Sequence, residues 1–283
     1  MSCSGSMRSL RGNPSFSWEN RPLCLLNFRA LTFLLDIISV FVLRCRDVDP
    51  QVRADCVREL GQWMTINPEH FIASSYLQYL GWLLSDKTAA VRVETLKVLA
   101  KLYESDNQAN ALRQFTTRFT DRFIEMALGE SDTSARQVAI RVATLIHKHG
   151  QLEEEDQVKL SVLIFGANAK VRKSLAKFVK ARVFEDEVEG RMASCEVVIS
   201  SQSEKITIKK DWVELKSLVS FLIKAGKAEE EQIASGNKPI EQGDGSHTRL
   251  IDETKVGRIA LAVEALWGEI ETLKVLYSVL WQC

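Results

Sequence analysis

Four short stretches of the chain share one pattern. Each carries an Asp or Asn, then a small or β-branched residue, then an arginine, and each opens a run of helical periodicity. They are Asp49-Pro50-Gln51-Val52-Arg53, Asp86-Lys87-Thr88-Ala89-Ala90-Val91-Arg92, Asp132-Thr133-Ser134-Ala135-Arg136 and Asn168-Ala169-Lys170-Val171-Arg172. The arginines at 53, 92, 136 and 172 stand 39, 44 and 36 residues apart. A period near 40 residues with two helices per unit marks HEAT and armadillo repeats, so an all-α, HEAT-repeat (armadillo-like) α-solenoid is expected. Such units bury their apolar faces against their neighbours rather than in one central core. The Asp or Asn suits a helix N-cap. The arginine beside it predicts a ladder of pairs between adjacent repeats.

Periodicity places the helices. Motif helices are expected over about 50–66, 88–103, 132–149 and 168–183, with partner helices over about 75–84, 108–128 and 154–166. Asn67-Pro68 ends the first. Residues 1–35 read as a poorly structured leader, and 36–184 as the repeats. Glu185 to Gly190 forms an acidic break. Residues 195–209 read as a short extended segment or a helix, and 211–224 as a helix, within a region spanning 185–224. Residues 225–256 are rich in Gly, Glu, Gln and Asp and read as a flexible insertion. Residues 257–283 read as an amphipathic helix of a further, truncated repeat. An end on Leu280-Trp281, with no polar outer face, suggests a piece of a longer protein.

Composition narrows the function classes. The 283 residues hold 37 Lys+Arg and 37 Asp+Glu, so the net charge is zero and a surface built wholly for nucleic acid is excluded. The six cysteines (Cys3, Cys24, Cys45, Cys56, Cys195 and Cys283) include no C-x-x-C spacing for zinc, and their scatter suits a reducing compartment. Leu23 to Leu43 is greasy, but Arg29 and Asp36 interrupt it, so no membrane span is expected.

No catalytic constellation is present. His147 and His149 are two apart and point to different helix faces. Phosphate-binding glycine loops, H-E-x-x-H and G-x-S-x-G are all absent. The expectation is a non-enzymatic protein with no cofactor and no metal. One stretch is strongly basic: Lys170, Arg172, Lys173, Lys177, Lys180 and Arg182 lie together without an acid. Lys170, Lys173, Lys177 and Lys180 step by three and four and so share a helix face. That face is either a solvated exterior or a candidate DNA contact working through counterion release.

A more specific series lies at about residues 41–126. It runs Val40-Phe41-Val42-Leu43-Arg44-Cys45-Arg46-Asp47, Val52-Arg53-Ala54-Asp55-Cys56 and Glu59-Leu60-Gly61-Gln62-Trp63-Met64. Ser75-Tyr76-Leu77-Gln78-Tyr79-Leu80-Gly81-Trp82, Asp86-Lys87, Val91-Arg92, Leu102-Tyr103 and Phe115 to Arg122 complete it. In order and spacing the series resembles the stromalin conservative domain of the stromal-antigen-type (stromalin) HEAT-repeat subunit of cohesin. Asp211 to Lys216 and Arg258 to Trp267 resemble fungal members more weakly, and residues 1–35 do not resemble the family.

The resemblance implies a non-catalytic scaffold in sister chromatid cohesion, acting in the nucleus on chromosomes. It implies binding of the kleisin subunit, of DNA or chromatin (weakly in a chain of this length), and of shugoshin-like regulators with short aromatic motifs. Carried over by position, the peptide pocket is Tyr79, Trp82, Arg118 and Phe119. Ser74 and Thr88-Ala89-Ala90 depart from the family pattern nearby, which bears on partner preference. The residues alone divide on this point. Tyr79 and Trp82 share a helix face, but Phe115, Phe119 and Phe123 at i, i+4, i+8 also read as a core stripe. Trp63 reads as core on either view. The second reading of the whole chain is a generic HEAT adaptor, as in nuclear transport or a phosphatase scaffold.

Overall fold

The computed structural model describes residues 39–72, 74–166, 168–182, 203–235 and 255–270. The chain divides into two units, 1–46 and 47–283. In the first, residues 39–44 are helical. In the second, the described residues form α-helices joined by short turns, with no strand among them. The all-α expectation is met.

The helices are α1 (Pro50–Ile66), α2 (Pro68–Phe71), α3 (Ser74–Leu83), α4 (Ala89–Tyr103), α5 (Asp106–Ala111) and α6 (Arg113–Gly129). Then come α7 (Thr133–Lys148), α8 (Glu154–Ser161) with a 3₁₀ turn at Val162–Phe165, α9 (Ala169–Lys180), α10 (Ser203–Ala234) and α11 (Lys255–Trp267). Two layers result. The motif helices α1, α4, α7 and α9 pack successively on one another, and α11 continues against α9. The partner helices α3, α6 and α8 form the second layer, with α10 beyond α8. This is the pairwise stacking that a 40-residue helical repeat requires.

Local chemistry explains the helix starts. Asp49 accepts the Gln51 amide at 2.8 Å, with Pro50 in the first turn, where its missing N–H costs nothing. Asp132 accepts the Ala135 amide at 2.8 Å, and Asn168 accepts those of Lys170 and Val171 at 3.0 and 3.3 Å. The inward faces follow the 3.6-residue period. Val57, Leu60 and Met64 of α1, Leu96, Leu99 and Leu102 of α4, and Ile140 and Ala143 of α7 are fully buried. Asp86 departs from the pattern. It accepts the Thr88 amide in the turn before α4, and Thr88 takes the cap position.

The sequence boundaries shift in three places. The helix expected over 108–128 is two, α5 and α6, broken at Leu112, whose buried side chain sits at their junction. The helix expected over 211–224 is the middle of a longer one, α10. It runs through residues 225–234, which had read as the start of the insertion. Lys227, Ala228, Glu229, Glu230 and Glu231 are good helix formers, and one internal Gly226 costs only about 1 kcal/mol against them. Of the region 195–209, residues 203–209 are helical; 195–202, like most of 236–256, lie outside the described residues. The helix α11 stops at Trp267 before Gly268, and residues 271–283 lie outside the described residues.

The expected ladder exists and takes a definite form. Each of Arg53, Arg92 and Arg172 donates through Nη1 to a carbonyl six residues earlier, that of Asp47 (2.8 Å), Asp86 (2.6 Å) and Gly166 (2.6 Å). Each thereby ties the turn before its helix to that helix. Two of them also cross to the next repeat. Arg53 forks onto both carboxylate oxygens of Asp86 at 2.7 and 2.8 Å, and Arg92 onto both of Glu130 at 2.8 and 2.6 Å. Arg136 instead donates to the Ala127 carbonyl. Between α7 and α9 the Gln137 side chain donates to the Lys170 carbonyl, and Asn168 to the Thr133 hydroxyl.

These pairs are nearly dry, with Arg53 and Asp86 side chains 6% and 9% exposed. Burial pushes the Asp86 carboxyl up, but the Arg53 hydrogen bonds, the Thr88 amide and the Arg53 charge outweigh it and hold the group below the ordinary range. Burial likewise raises Glu130, and Arg92 outweighs it, leaving it lowered. A depressed carboxylate contributes stability that is complete above its unfolded value, about 4, and is lost as pH falls through the folded value. Arg53→Ala leaves a buried carboxylate unpaired and is expected to cost about 3–5 kcal/mol in urea unfolding at pH 7. Without Arg53, burial raises the stranded Asp86, so that cost already shrinks as pH falls toward the ordinary carboxylate value of about 4, where protonation relieves the unpaired charge.

Candidate functional site

The second-layer helices α3 and α6 lie side by side and carry the four residues singled out from the sequence. In α3, Leu77, Leu80 and Leu83 point inward and are buried. Tyr79 and Trp82, three residues apart, share a different face. Tyr79 is half-buried, and Trp82 is 52% exposed, a large solvent contact for an indole in a helix this well packed. Their ring centroids are 5.3 Å apart at 83°, the edge-to-face arrangement that aromatic quadrupoles favour.

In α6 the phenylalanine stripe divides. Phe115 and Phe123 are buried, as a core stripe predicts. Phe119 is only half-buried, stacked on Phe115 at 4.5 Å and 30°. Its ring reaches across to α3 and rests on the backbone of Gly81. A Cβ at that glycine would fall 2.3 Å from Phe119 Cζ. The absent side chain therefore admits the phenylalanine to the α3 surface one residue from Trp82. Arg118 is exposed, its guanidinium carbon 5.7 Å from the Phe119 centroid. Arg122, one turn on, donates to the Leu84 carbonyl at the end of α3 (3.4 Å) and pairs with Glu125 at 3.1 Å. Trp63, expected in the core, is half-buried with its ring 5.6 Å from Phe71.

The four expected residues thus occupy two contacting helices, as one edge-to-face aromatic pair on α3 and, on α6, Phe119 with Arg118 at its rim. Chemically the surface can take an apolar or aromatic side chain against Trp82 and Phe119, while Arg118 offers donors to a carboxylate or a backbone carbonyl. Gly81 belongs to the site and was not among the residues anticipated. Its sequence signal is a glycine inside a short helix, a choice that costs about 1 kcal/mol unless a close contact requires it.

The basic stretch separates into two sets. Lys170, Lys173, Lys177 and Lys180 stand exposed along α9, on one face. Arg172 turns inward to the Gly166 carbonyl. Arg182 donates to the Ser161 hydroxyl at 2.8 Å and lies 5.8 Å from the Phe221 ring centroid. Four lysines, not six cations, therefore face solvent as a stripe. Among the described residues no group of His, Cys, Asp and Glu has metal-site geometry, and no helix is long and apolar enough to cross a membrane.

Residues 46–120 match the stromalin conservative domain. The chain is 38% identical over 178 residues to the cohesin subunit psc3 of Schizosaccharomyces pombe, which takes in 62% of this chain and 17% of that protein. It is 38% identical over 141 residues to the sister-chromatid cohesion protein 3 of Arabidopsis thaliana, 50% of this chain and 13% of that one. It spans less than a fifth of the length of either relative. Among solved structures, the cohesin subunit Scc3 from Z. rouxii superposes with a TM-score of 0.53 at 25% identity, over 83% of this chain and 30% of that one. Tyr79, Trp82, Arg118 and Phe119 all fall inside the residues that match the stromalin conservative domain, and that matching segment lies on a HEAT-type helical array.

Proposed function

We propose that the chain is a non-catalytic scaffold of a cohesin assembly, supporting sister chromatid cohesion on chromosomes in the nucleus. In this reading it binds the kleisin subunit and receives shugoshin-like regulators through short aromatic motifs at Tyr79, Trp82, Arg118 and Phe119. The observation that carries it is the half-exposed edge-to-face pair of Tyr79 and Trp82, with Phe119 resting on the intervening Gly81, inside the residues that match the stromalin conservative domain. A helix that buries three leucines yet leaves a tryptophan 52% in water keeps an apolar anchor available to a partner. The glycine beneath Phe119 supports the same reading, because it brings a second ring to that surface. Neutrality of the surrounding segment agrees: residues 41–126 hold 11 Lys+Arg and 11 Asp+Glu, so recognition there rests on aromatics more than on net charge. DNA is the further partner, held weakly through phosphates by Lys170, Lys173, Lys177 and Lys180.

The peptide reading is tested with a labelled peptide carrying two aromatic residues, measured by fluorescence anisotropy, together with capture of a kleisin fragment. Trp82→Ala is expected to weaken the peptide by about 30-fold, the loss of a hot spot of about 2 kcal/mol, with helical content and Tm nearly unchanged. Gly81→Ala is expected to weaken it comparably by displacing Phe119, at a stability cost of about 1–3 kcal/mol from overpacking. If the folded wild-type chain binds neither the peptide nor the kleisin fragment, the cohesin reading fails and a generic helical-repeat adaptor takes its place.

For DNA, Lys173→Glu with Lys177→Glu is expected to weaken duplex binding and to flatten its dependence on salt concentration. An unchanged salt slope would return the stripe to a plain solvated face.

A further inference from the structure

A second concave surface lies away from the aromatic pairs, on the motif layer between α1 and α4. The two helices run the same way: Arg53 meets Asp86 in the turn before α4, Arg58 reaches Glu94, and Gly61 meets Val98. At Gly61 they come so close that a Cβ would lie 2.6 Å from Val98 Cγ2. That contact lies within a groove of about 500 Å³, whose lining runs from Arg58 and Glu94 to Ile66 and Lys101, and whose volume is in the range that binding sites occupy.

The walls are charged unequally. Arg58, Lys97 and Lys101 line the groove against the carboxylate of Glu94, and Asp55 pairs with Arg58 at 2.6 Å from outside the lining, so the excess charge rests on Lys97 and Lys101. The Glu94 carboxylate is already engaged twice, by Lys97 at 2.7 Å and by Arg58 at 3.7 Å. Lys101 has no ion pair among the described residues. At the same end Ile66 is 81% exposed, an aliphatic side chain left in water beside an ammonium group. The Thr65 hydroxyl donates to the Gly61 carbonyl at 2.8 Å and so presents its oxygen only as an acceptor.

The geometry points to a binding site for an acidic peptide segment in extended form. Its carboxylates lie against Lys101 and Lys97, and an aliphatic side chain between them covers Ile66. Charge complementarity selects acidity, and the exposed isoleucine selects a chain with apolar side chains over a bare phosphate backbone. A phosphate chain gains nothing from Ile66 and meets Glu94 on the wall. None of these residues belongs to the Tyr79–Phe119 surface or to the α9 lysines, so the site is separate from both.

The test uses the whole chain and a fluorescein-labelled heptapeptide, Gly-Glu-Leu-Glu-Leu-Glu-Gly, at low ionic strength, with the Gln-for-Glu peptide as its control. The wild type is expected to bind the acidic peptide at least about tenfold more tightly than the Gln version. Lys97→Glu with Lys101→Glu is expected to remove that preference, whereas Lys173→Glu with Lys177→Glu leaves it intact, with circular dichroism confirming that each variant is folded. Equal affinity for the two peptides would overturn the proposal. So would insensitivity to the Lys97 and Lys101 changes. Duplex DNA that binds more tightly than the peptide, and loses its affinity on the same double change, would make the groove a phosphate site and overturn it as well.

Discussion

Two buried guanidinium–carboxylate forks join the first three repeats, Arg53 to Asp86 and Arg92 to Glu130. Apolar stacking holds the motif helices together but is tolerant of sliding, since one leucine packs on another at many offsets. A bidentate ion pair is not tolerant, because two parallel hydrogen bonds fix both distance and angle. Each arginine also holds the turn before its own helix, so one side chain sets where a helix begins and where the next repeat must stand. A buried pair is not by itself strong evidence of stability, but it does select one arrangement over its neighbours, because a slip would strand a charge. Between α7 and α9, Gln137 and Asn168 add neutral hydrogen bonds across the step.

The two surfaces of interest follow from that register. With α1, α4 and α7 fixed, the partner helices α3 and α6 meet where Gly81 has no side chain, and Phe119 occupies the space. The ring then rests on the α3 backbone at Gly81, half-buried rather than wholly within the core. On the opposite layer the same close stacking, at Gly61 and Val98, lies in the middle of a groove that runs from Arg58 and Glu94 to Ile66 and Lys101. Both glycines are thus positions where helices touch backbone to side chain. Each lies within a surface that side chains on either side have left open.

Much of this was legible in the sequence. The recurrence of Asp or Asn before an arginine located α1, α4, α7 and α9 to within a few residues, because capping and periodicity are local properties. The existence of a ladder was legible too, though not its partners. Asp86 was read as a cap, and only the neighbouring repeat makes it the counter-ion of Arg53. Phe119 shows the limit most clearly. At i, i+4, i+8 it is indistinguishable from Phe115 and Phe123, and what lifts it to the surface is a glycine nearly forty positions away on another helix. The break at Leu112 depends on the neighbouring helices that bury that side chain, whereas the extension of α10 to Ala234 rests on the helix formers at 227–231, which had been grouped with the Gly-, Gln- and Asp-rich stretch after them.

Register set by buried ion pairs is therefore the claim on which both surfaces rest. A double-mutant cycle on Arg53→Ala and Asp86→Ala, by urea unfolding at pH 7, tests it directly. Each single change is expected to be costly and the double change no worse than the more costly of the two, giving a coupling of about 2–3 kcal/mol. Additive losses, with coupling near zero, would mean that the pair does not hold the repeats in place and that stacking alone sets the arrangement.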